Sequence, residues 1–212
     1  MDTSTTAPTS RQATLRGFTM VELMVTLAIA AILGTLAAPA MQDMIIKSRL
    51  SGVGNQFTGH ILRASTEAIS CNTCTVMCLS TTTDTAITTN SSGNVTAGPM
   101  CADAGTDWQQ GWIVFLKEDC VNGTQVGNSR PVRPEDYIVI KSSIGDSYNL
   151  LAQGSSPPKR FFFDANGRPG LSGAGKFDLE YAPNSTLTQN YGFNICVDSV
   201  GRTRNISWGQ QC

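Results

Sequence analysis

Between Phe18 and Met41 the chain carries one ionisable side chain, Glu22, in a run that is otherwise almost wholly apolar. About 20 such residues at 1.5 Å each cross a hydrocarbon core of ~30 Å, so the run predicts one membrane-spanning helix. The residues in front of it, 1–17, are polar, rich in Thr and Ser, and include Arg11, Arg16 and Gly17. A carboxylate inside a bilayer costs a few kcal/mol and normally has a partner, so Glu22 calls for one.

A cleaved secretory signal would place a small-residue site after the apolar run, and "TLAAPA" (Thr35 to Ala40) has that composition. The residues that follow argue against cleavage there. Ile46, Leu50, Val53, Phe57, Ile61, Ala64 and Ala68 recur at spacings of three and four, one face of an α-helix that prolongs the apolar run. Phe18 to about Ile69 would make roughly 75–80 Å of helix, bare in its first half and amphipathic in its second. Gly34, Pro39, Gly52, Gly54 and Gly59 weaken it locally, and a bend or local melt is expected near Pro39.

The 212 residues suffice for this helix and one folded domain. The net charge is −1; without residues 1–17, which hold two basic side chains and one acidic, it is −2, so any affinity for nucleic acid has to come from a local patch. Seven cysteines (71, 74, 78, 101, 120, 196 and 212) behind an export-like segment predict disulfides, with at least one thiol left over or paired with another chain.

Residues 71–110 read as a long Thr-, Ser- and Cys-rich connection, partly stapled by cysteines. After it come short β-type runs: Gly111–Lys117, Tyr137–Ser143, Tyr148–Gln153, Arg160–Asp164, Lys176–Tyr181, Phe193–Asp198 and Arg202–Trp208. Turn chemistry separates them, with Asn-Gly pairs at Asn122 and Asn166 and prolines at 131 and 134. The expected fold class is α+β: a long N-terminal helix packed on a small, largely antiparallel β-sheet domain.

Few patterns point to chemistry. "GLSGAGKF" (Gly170 to Phe177) nearly spells a phosphate-binding loop, but Phe177 stands where a magnesium-binding hydroxyl is needed and the next run reads as strand, so a turn accounts for it better. "CNTCTVMC" offers Cys71, Cys74 and Cys78; zinc would need a fourth ligand, and thiol catalysis a βαβ context that is absent, which leaves structural disulfides at the helix end as the expectation, with Cys71 and Cys74 as candidates and the connectivity open. His60 is the only histidine, and no nucleophile–base pair can be built around it. No catalytic residue, metal site or cofactor is expected.

In "GRTRNISWGQQC" (Gly201 to Cys212), Arg202 and Arg204 project to one face of an extended segment. No acid follows Asp198, so both guanidiniums read as locally uncompensated, and Cys196 and Cys212 bracket them as a candidate disulfide. An exposed strand with two solvating arginines would look the same.

"RGFTMVELMVTLAIAAILGTLAAP" (Arg16 to Pro39) resembles the class III signal of type IV pilins and type II secretion pseudopilins, with Gly17, Phe18, Glu22 and Pro39 at the marker positions. The resemblance implies a prepilin peptidase that cuts between Gly17 and Phe18 and N-methylates Phe18. It implies an inner-membrane protein with a periplasmic C-terminal domain, waiting in the lipid bilayer, handled by an inner-membrane assembly platform and then drawn among other pilin subunits. The partner it implies for Glu22 is the N-terminal amine of a neighbouring subunit's Phe18.

"GWIVF" (Gly111 to Phe115), Glu135 and Asp136 before "YIVI", and "FFFDANGRPG" (Phe161 to Gly170) before "GKFDLEY" resemble the GspH/FimT family of minor pseudopilins and minor pilins. Lys117 stands where that pattern has its first hairpin acid, so no metal is argued there. Gly201, Arg202 and Arg204 resemble the Gly-Arg-x-Arg motif with which FimT-type minor pilins hold double-stranded DNA during natural transformation, and Lys159, Arg160 or Arg168 would help if the fold brings them near. Such contacts are sequence-independent and salt-sensitive.

The expected organisation is a leader at 1–17, a transmembrane and filament-core helix at 18–41, its amphipathic half at 42–70, the connection at 71–110 and a periplasmic β-rich domain at 111–212. The expected function is a non-enzymatic filament subunit that helps assemble or prime a type IV pilus or secretion pseudopilus, with a DNA-uptake role. The alternatives are a secretion pseudopilin without a DNA role and, from another class, a membrane-tethered periplasmic thiol protein using Cys71 and Cys74.

Overall fold

A computed structural model describes residues 17–93, 95–102, 104–117, 138–145, 147–154, 157–169, 175–181, 190–198 and 200–212. The sequence landmarks at Cys120, Asn122, Pro131, Pro134, Glu135, Asp136 and Gly170 lie outside these residues, as does the leader up to Arg16. The chain divides into two compact units, Met1–Met44 and Ile45–Cys212.

Helix α1 runs from Met20 to Ser70. Thr19 starts it: its Oγ1 accepts the Glu22 N–H at 3.2 Å, and Thr-x-x-Glu is the pattern of a capping box. In the first unit the helix keeps its apolar side chains exposed, among them Met20, Val21, Leu23, Leu27 and Leu33. No single helix is long and apolar enough to cross a membrane; Met20–Thr35 and Ala40–Ser70 pass that test of length and composition only as a pair, bent at the break between them. That break contains Pro39, which cannot donate to the helix ladder.

In the second unit the three-four pattern becomes burial. Leu50, Phe57, Ile61, Ala64 and Ala68 are fully buried, and Ile46 and Val53 pack at the margin of the same core. Gly54 lets the helix approach the sheet: a Cβ there would come within 2.8 Å of the Phe193 ring. The helix ends at an Asn72 with φ +49°; the Thr73 N–H reaches back to the Ala68 carbonyl and the Asn72 N–H to the Ile69 carbonyl, a Schellman closure with Asn in the left-handed position.

Strand β1 (Cys74–Leu79) follows at once and corrects the expectation of a loop from 71 to 110. All six of its residues are buried, and it lies between two antiparallel neighbours, β4 (Trp112–Lys117) and β7 (Arg160–Phe163). A short hairpin, β2 (Thr88–Thr89) and β3 (Val95–Ala97), and a 3-10 turn at Trp108–Gln110 occupy the rest of that segment. With β5 (Ile138–Ser142) the first sheet has the order β5-β4-β1-β7.

The second sheet has the order β10-β9-β8-β6, built from β6 (Tyr148–Gln153), β8 (Gly175–Tyr181), β9 (Phe193–Val197) and β10 (Thr203–Ser207). The expected meander is thus antiparallel but split into two four-stranded sheets. Strands β6 and β8 alternate buried and half-buried residues, as strands with one face on a core should. Phe57 of α1 meets Trp108, Trp112 and Phe177 edge-on at 5.4, 5.2 and 4.9 Å, joining helix and sheets in one aromatic core.

A second cluster of Cys74, Val76, Cys78, Cys101, Ile113, Phe115 and Phe162 forms a separate buried group. There the Cys78–Cys101 disulfide ties β1 to the segment that returns toward Trp108. Strands β1 and β4 therefore bury consecutive residues, which removes the alternation that would have marked β1.

Candidate functional site

Gly17, Phe18 and Thr19 precede the helix. Phe18 is 82 % exposed and nothing lies within 4 Å of where a Cβ on Gly17 would stand. Glu22 is exposed in the first helical turn, where the free N–H groups and the helix dipole favour a negative charge. The arrangement thus presents an open Gly17–Phe18 linkage, a capped helix start and a carboxylate beside it.

At the other end of the chain, β9 and β10 pair antiparallel with Arg204 opposite Cys196, and β8 places Lys176 opposite Cys196 from the other side. Ile195 and Val197 enter the core, so Asn194 and Cys196 belong to the outer face of this sheet. The tail folds back over that face. Cys212 is disulfide-bonded to Cys196 with Cα atoms 5.6 Å apart, the Gly209 N–H donates to Asn194 Oδ1 at 2.9 Å, and Asn194 Nδ2 donates to Asp178.

Both arginines of the C-terminal motif are exposed, yet Arg202 is not uncompensated, which corrects for it the expectation drawn from the order of charges. Arg202 Nε contacts Asp198 Oδ2 at 3.0 Å: the turn brings the last acid back onto the first arginine. Partial desolvation, which would raise the Asp198 pKa, is outweighed by the N–H groups of Arg202 and Val200 and by the Arg202 guanidinium, which hold it below the ordinary carboxylate value. Arg204 Nη2 lies 3.5 Å from the Cys212 carbonyl oxygen. Even so, the Arg202 side chain is 82 % exposed, so its partner is one that an incoming anion can share or displace. Lys159 immediately precedes β7, Arg160 begins it, and Arg168 lies in the loop after it, exposed.

The cysteines at the helix end need a correction. Of the two candidates, Cys74 is disulfide-bonded and only 2 % exposed, whereas Cys71 is free and exposed, so the two are not bridged to each other. The Schellman turn explains it: Cys71 stays on the last turn of the helix while Cys74 has already entered the central strand β1. Lys176 and Phe177 of the near-miss phosphate loop sit in β8, with Phe177 in the core. His60 Nδ1 accepts the Trp112 indole N–H at 2.9 Å, and burial holds its pKa below the ordinary histidine value. Among the described residues no group of three His, Cys, Asp or Glu side chains is placed to hold a metal ion.

The family model described as type II transport protein GspH matches residues 53–201, well over half of the chain. The prokaryotic N-terminal methylation motif matches residues 15–38. No curated protein matches the chain. Among solved structures, the type IV minor pilin FimU of Pseudomonas aeruginosa PAO1 is similar at a TM-score of 0.48 and 13 % identity, over 77 % of this chain and 92 % of that one. The minor pseudopilin EpsH from the type 2 secretion system of Vibrio cholerae is similar at a TM-score of 0.40 and 9 % identity, over 76 % and 99 %. An N-methylation motif on the exposed first unit and the GspH match on the second agree in kind, and the chain belongs to the GspH family of pilin-like subunits.

Proposed function

We propose that the chain is a non-enzymatic minor pilin or pseudopilin that helps to assemble and prime a type IV pilus or a secretion pseudopilus. It is held in the inner membrane with its second unit in the periplasm, matured between Gly17 and Phe18 and N-methylated at Phe18. The carrying observation is the contrast between units: the second buries its own apolar face, whereas the first leaves Phe18, Leu23, Leu27, Ile29, Ile32 and Leu33 exposed. Contiguous apolar surface of that extent needs lipid first and neighbouring helices later. Mass spectrometry of the purified membrane protein tests this; a chain beginning with methylated Phe18 and recovered in sheared filaments is expected, and an unprocessed chain overturns it.

DNA binding is the sharper part of the reading, and the exposure of Arg202 and Arg204 beside a tail bolted by the Cys196–Cys212 disulfide favours it. Two exposed guanidiniums on an ordered strand suit phosphate oxygens of double-stranded DNA without reading bases. A gel shift across salt with Arg202→Ala/Arg204→Ala is the test; equal binding by both proteins would remove this role and leave a subunit of protein secretion. The thiol-protein alternative loses its basis, because Cys71 and Cys74 are not partners.

A further inference from the structure

Residues 164–168 read DANGR and residues 198–202 read DSVGR, and each segment directly follows a strand, β7 and β9. Their hydrogen bonds are the same. The Asp N–H donates to the Arg carbonyl (Asp164 to Arg168, 2.9 Å; Asp198 to Arg202, 3.0 Å), and the Gly N–H donates to the Asp carbonyl (Gly167 to Asp164, 2.8 Å; Gly201 to Asp198, 2.9 Å). In each loop the Asp Oδ1 accepts the Arg N–H at 2.8 Å, and also the N–H of the third residue, Asn166 at 2.9 Å and Val200 at 3.0 Å. Both glycines sit at positive φ, +73° and +81°. The chain therefore contains two copies of one turn, each ending in an arginine.

The two copies are neighbours. A Cβ on Gly201 would stand 3.3 Å from the Phe163 ring and 3.5 Å from Pro169, the residues flanking the first loop on either side. The first loop is anchored in turn on α1: Ser65 Oγ donates to the Gly167 carbonyl at 3.1 Å, and a Cβ on Gly167 would meet Ile69 at 2.6 Å. Two rigid turns thus lie side by side near the end of α1, with Arg168 and Arg202 both exposed. They differ in pairing. Arg202 shares Asp198, whereas among the described residues no side chain or carbonyl pairs with the Arg168 guanidinium.

We infer that the paired loops form one anion-binding surface, in which Arg168 contacts the same phosphodiester backbone as Arg202 and Arg204 and contributes more than Arg202. This rests on the DNA reading above. A guanidinium without an internal partner keeps its charge and all its donors for phosphate, whereas Arg202 must share or release a carboxylate first.

The test uses the full chain in detergent micelles and a short fluorescent duplex of mixed sequence, with anisotropy read from about 50 to about 200 mM salt. Arg168→Gln is expected to weaken binding several-fold at low salt and to reduce the slope of log K against log salt by about one. Arg168→Lys should keep the slope, and Arg202→Gln should lose less than Arg168→Gln. If Arg168→Gln matches wild type while Arg204→Gln weakens binding, this inference is wrong and the DNA reading stands. If wild type itself shows no binding at the lowest salt, both fail. An unfolding midpoint well below wild type for Arg168→Gln would also overturn it, since a guanidinium that holds the fold is not free for phosphate.

Discussion

His60 shows how one residue changes meaning between sequence and structure. Beside the apolar stripe of a helix it offers no chemistry; in the fold its Nδ1 is the acceptor for the indole N–H of Trp112, a fully buried ring 52 residues away in sequence. No spacing rule reports a contact made across that distance. The bond requires a neutral imidazole with its proton on Nε2, and burial lowers the pKa in the same sense. The unfolded chain then binds the proton more readily than the folded one. His60 therefore contributes fully above about pH 6.5, and its contribution is lost as the pH falls below that value toward the lower folded pKa. Denaturation midpoints at pH 7.5 and 5.5 should converge for His60→Gln, whose amide oxygen still accepts the indole proton but does not titrate. His60→Ala, which orphans a buried donor, should cost about 1–3 kcal/mol at pH 7.5 and less at pH 5.5, where the wild type has lost part of this contribution. Asp198 carries a second prediction at this scale. Asp198→Asn keeps an oxygen for the N–H groups of Val200 and Arg202 while removing the charge paired with Arg202. Affinity for duplex DNA should rise and its salt dependence steepen, as measured by the same anisotropy titration.

Helix α1 and strand β1 stand at opposite ends of legibility. The buried face of the helix could be read residue by residue, because a three-four spacing has one geometrical meaning and seven positions repeat it. Seven strands were legible too, from Gly111–Lys117 to Arg202–Trp208, because β-branched and aromatic runs alternate with turns. Strand β1 was not, since "CTVMCL" has neither alternation nor aromatic residues and sits in Thr- and Ser-rich text. Its centrality comes from being covered on both faces, and the Cys78–Cys101 bridge that helps cover it has no sequence signature beyond two cysteines. The pairing has a direct check. Alkylation of the native, unreduced protein should label Cys71 and leave Cys74, Cys78, Cys101, Cys196 and Cys212 unmodified until a reductant is added, as peptide mapping would show. Replacing Cys196 and Cys212 by Ser should lower stability by about 2–3 kcal/mol, the scale for a closed loop of this length, read from urea denaturation.

For the whole molecule the decisive question is why an acid stands at the start of an apolar helix, and the structure supplies a rival to the intersubunit answer. Thr19 and Glu22 begin α1 as a capping box would, so the carboxylate has a local use at the positive end of the helix dipole, whatever lies next to it. The proposed filament role gives it a different use, as the partner of a neighbouring subunit's Phe18 amine. Substitutions separate the two, because a capping box accepts Gln as well as Glu whereas an ammonium pair needs the charge. If Glu22 serves the helix start, Glu22→Gln should enter filaments like wild type, and Thr19→Ala, which removes the cap acceptor at a cost of about 1 kcal/mol, should impair assembly as much as Glu22→Ala. If Glu22 serves the neighbouring amine, Glu22→Gln and Glu22→Ala should both insert into the membrane and be processed before Phe18, yet vanish from sheared filaments, while Thr19→Ala still assembles. We expect the second pattern. In the proposed filament the exposed first unit leaves lipid for neighbouring helices, and a buried amine without its carboxylate would cost several kcal/mol at each subunit added.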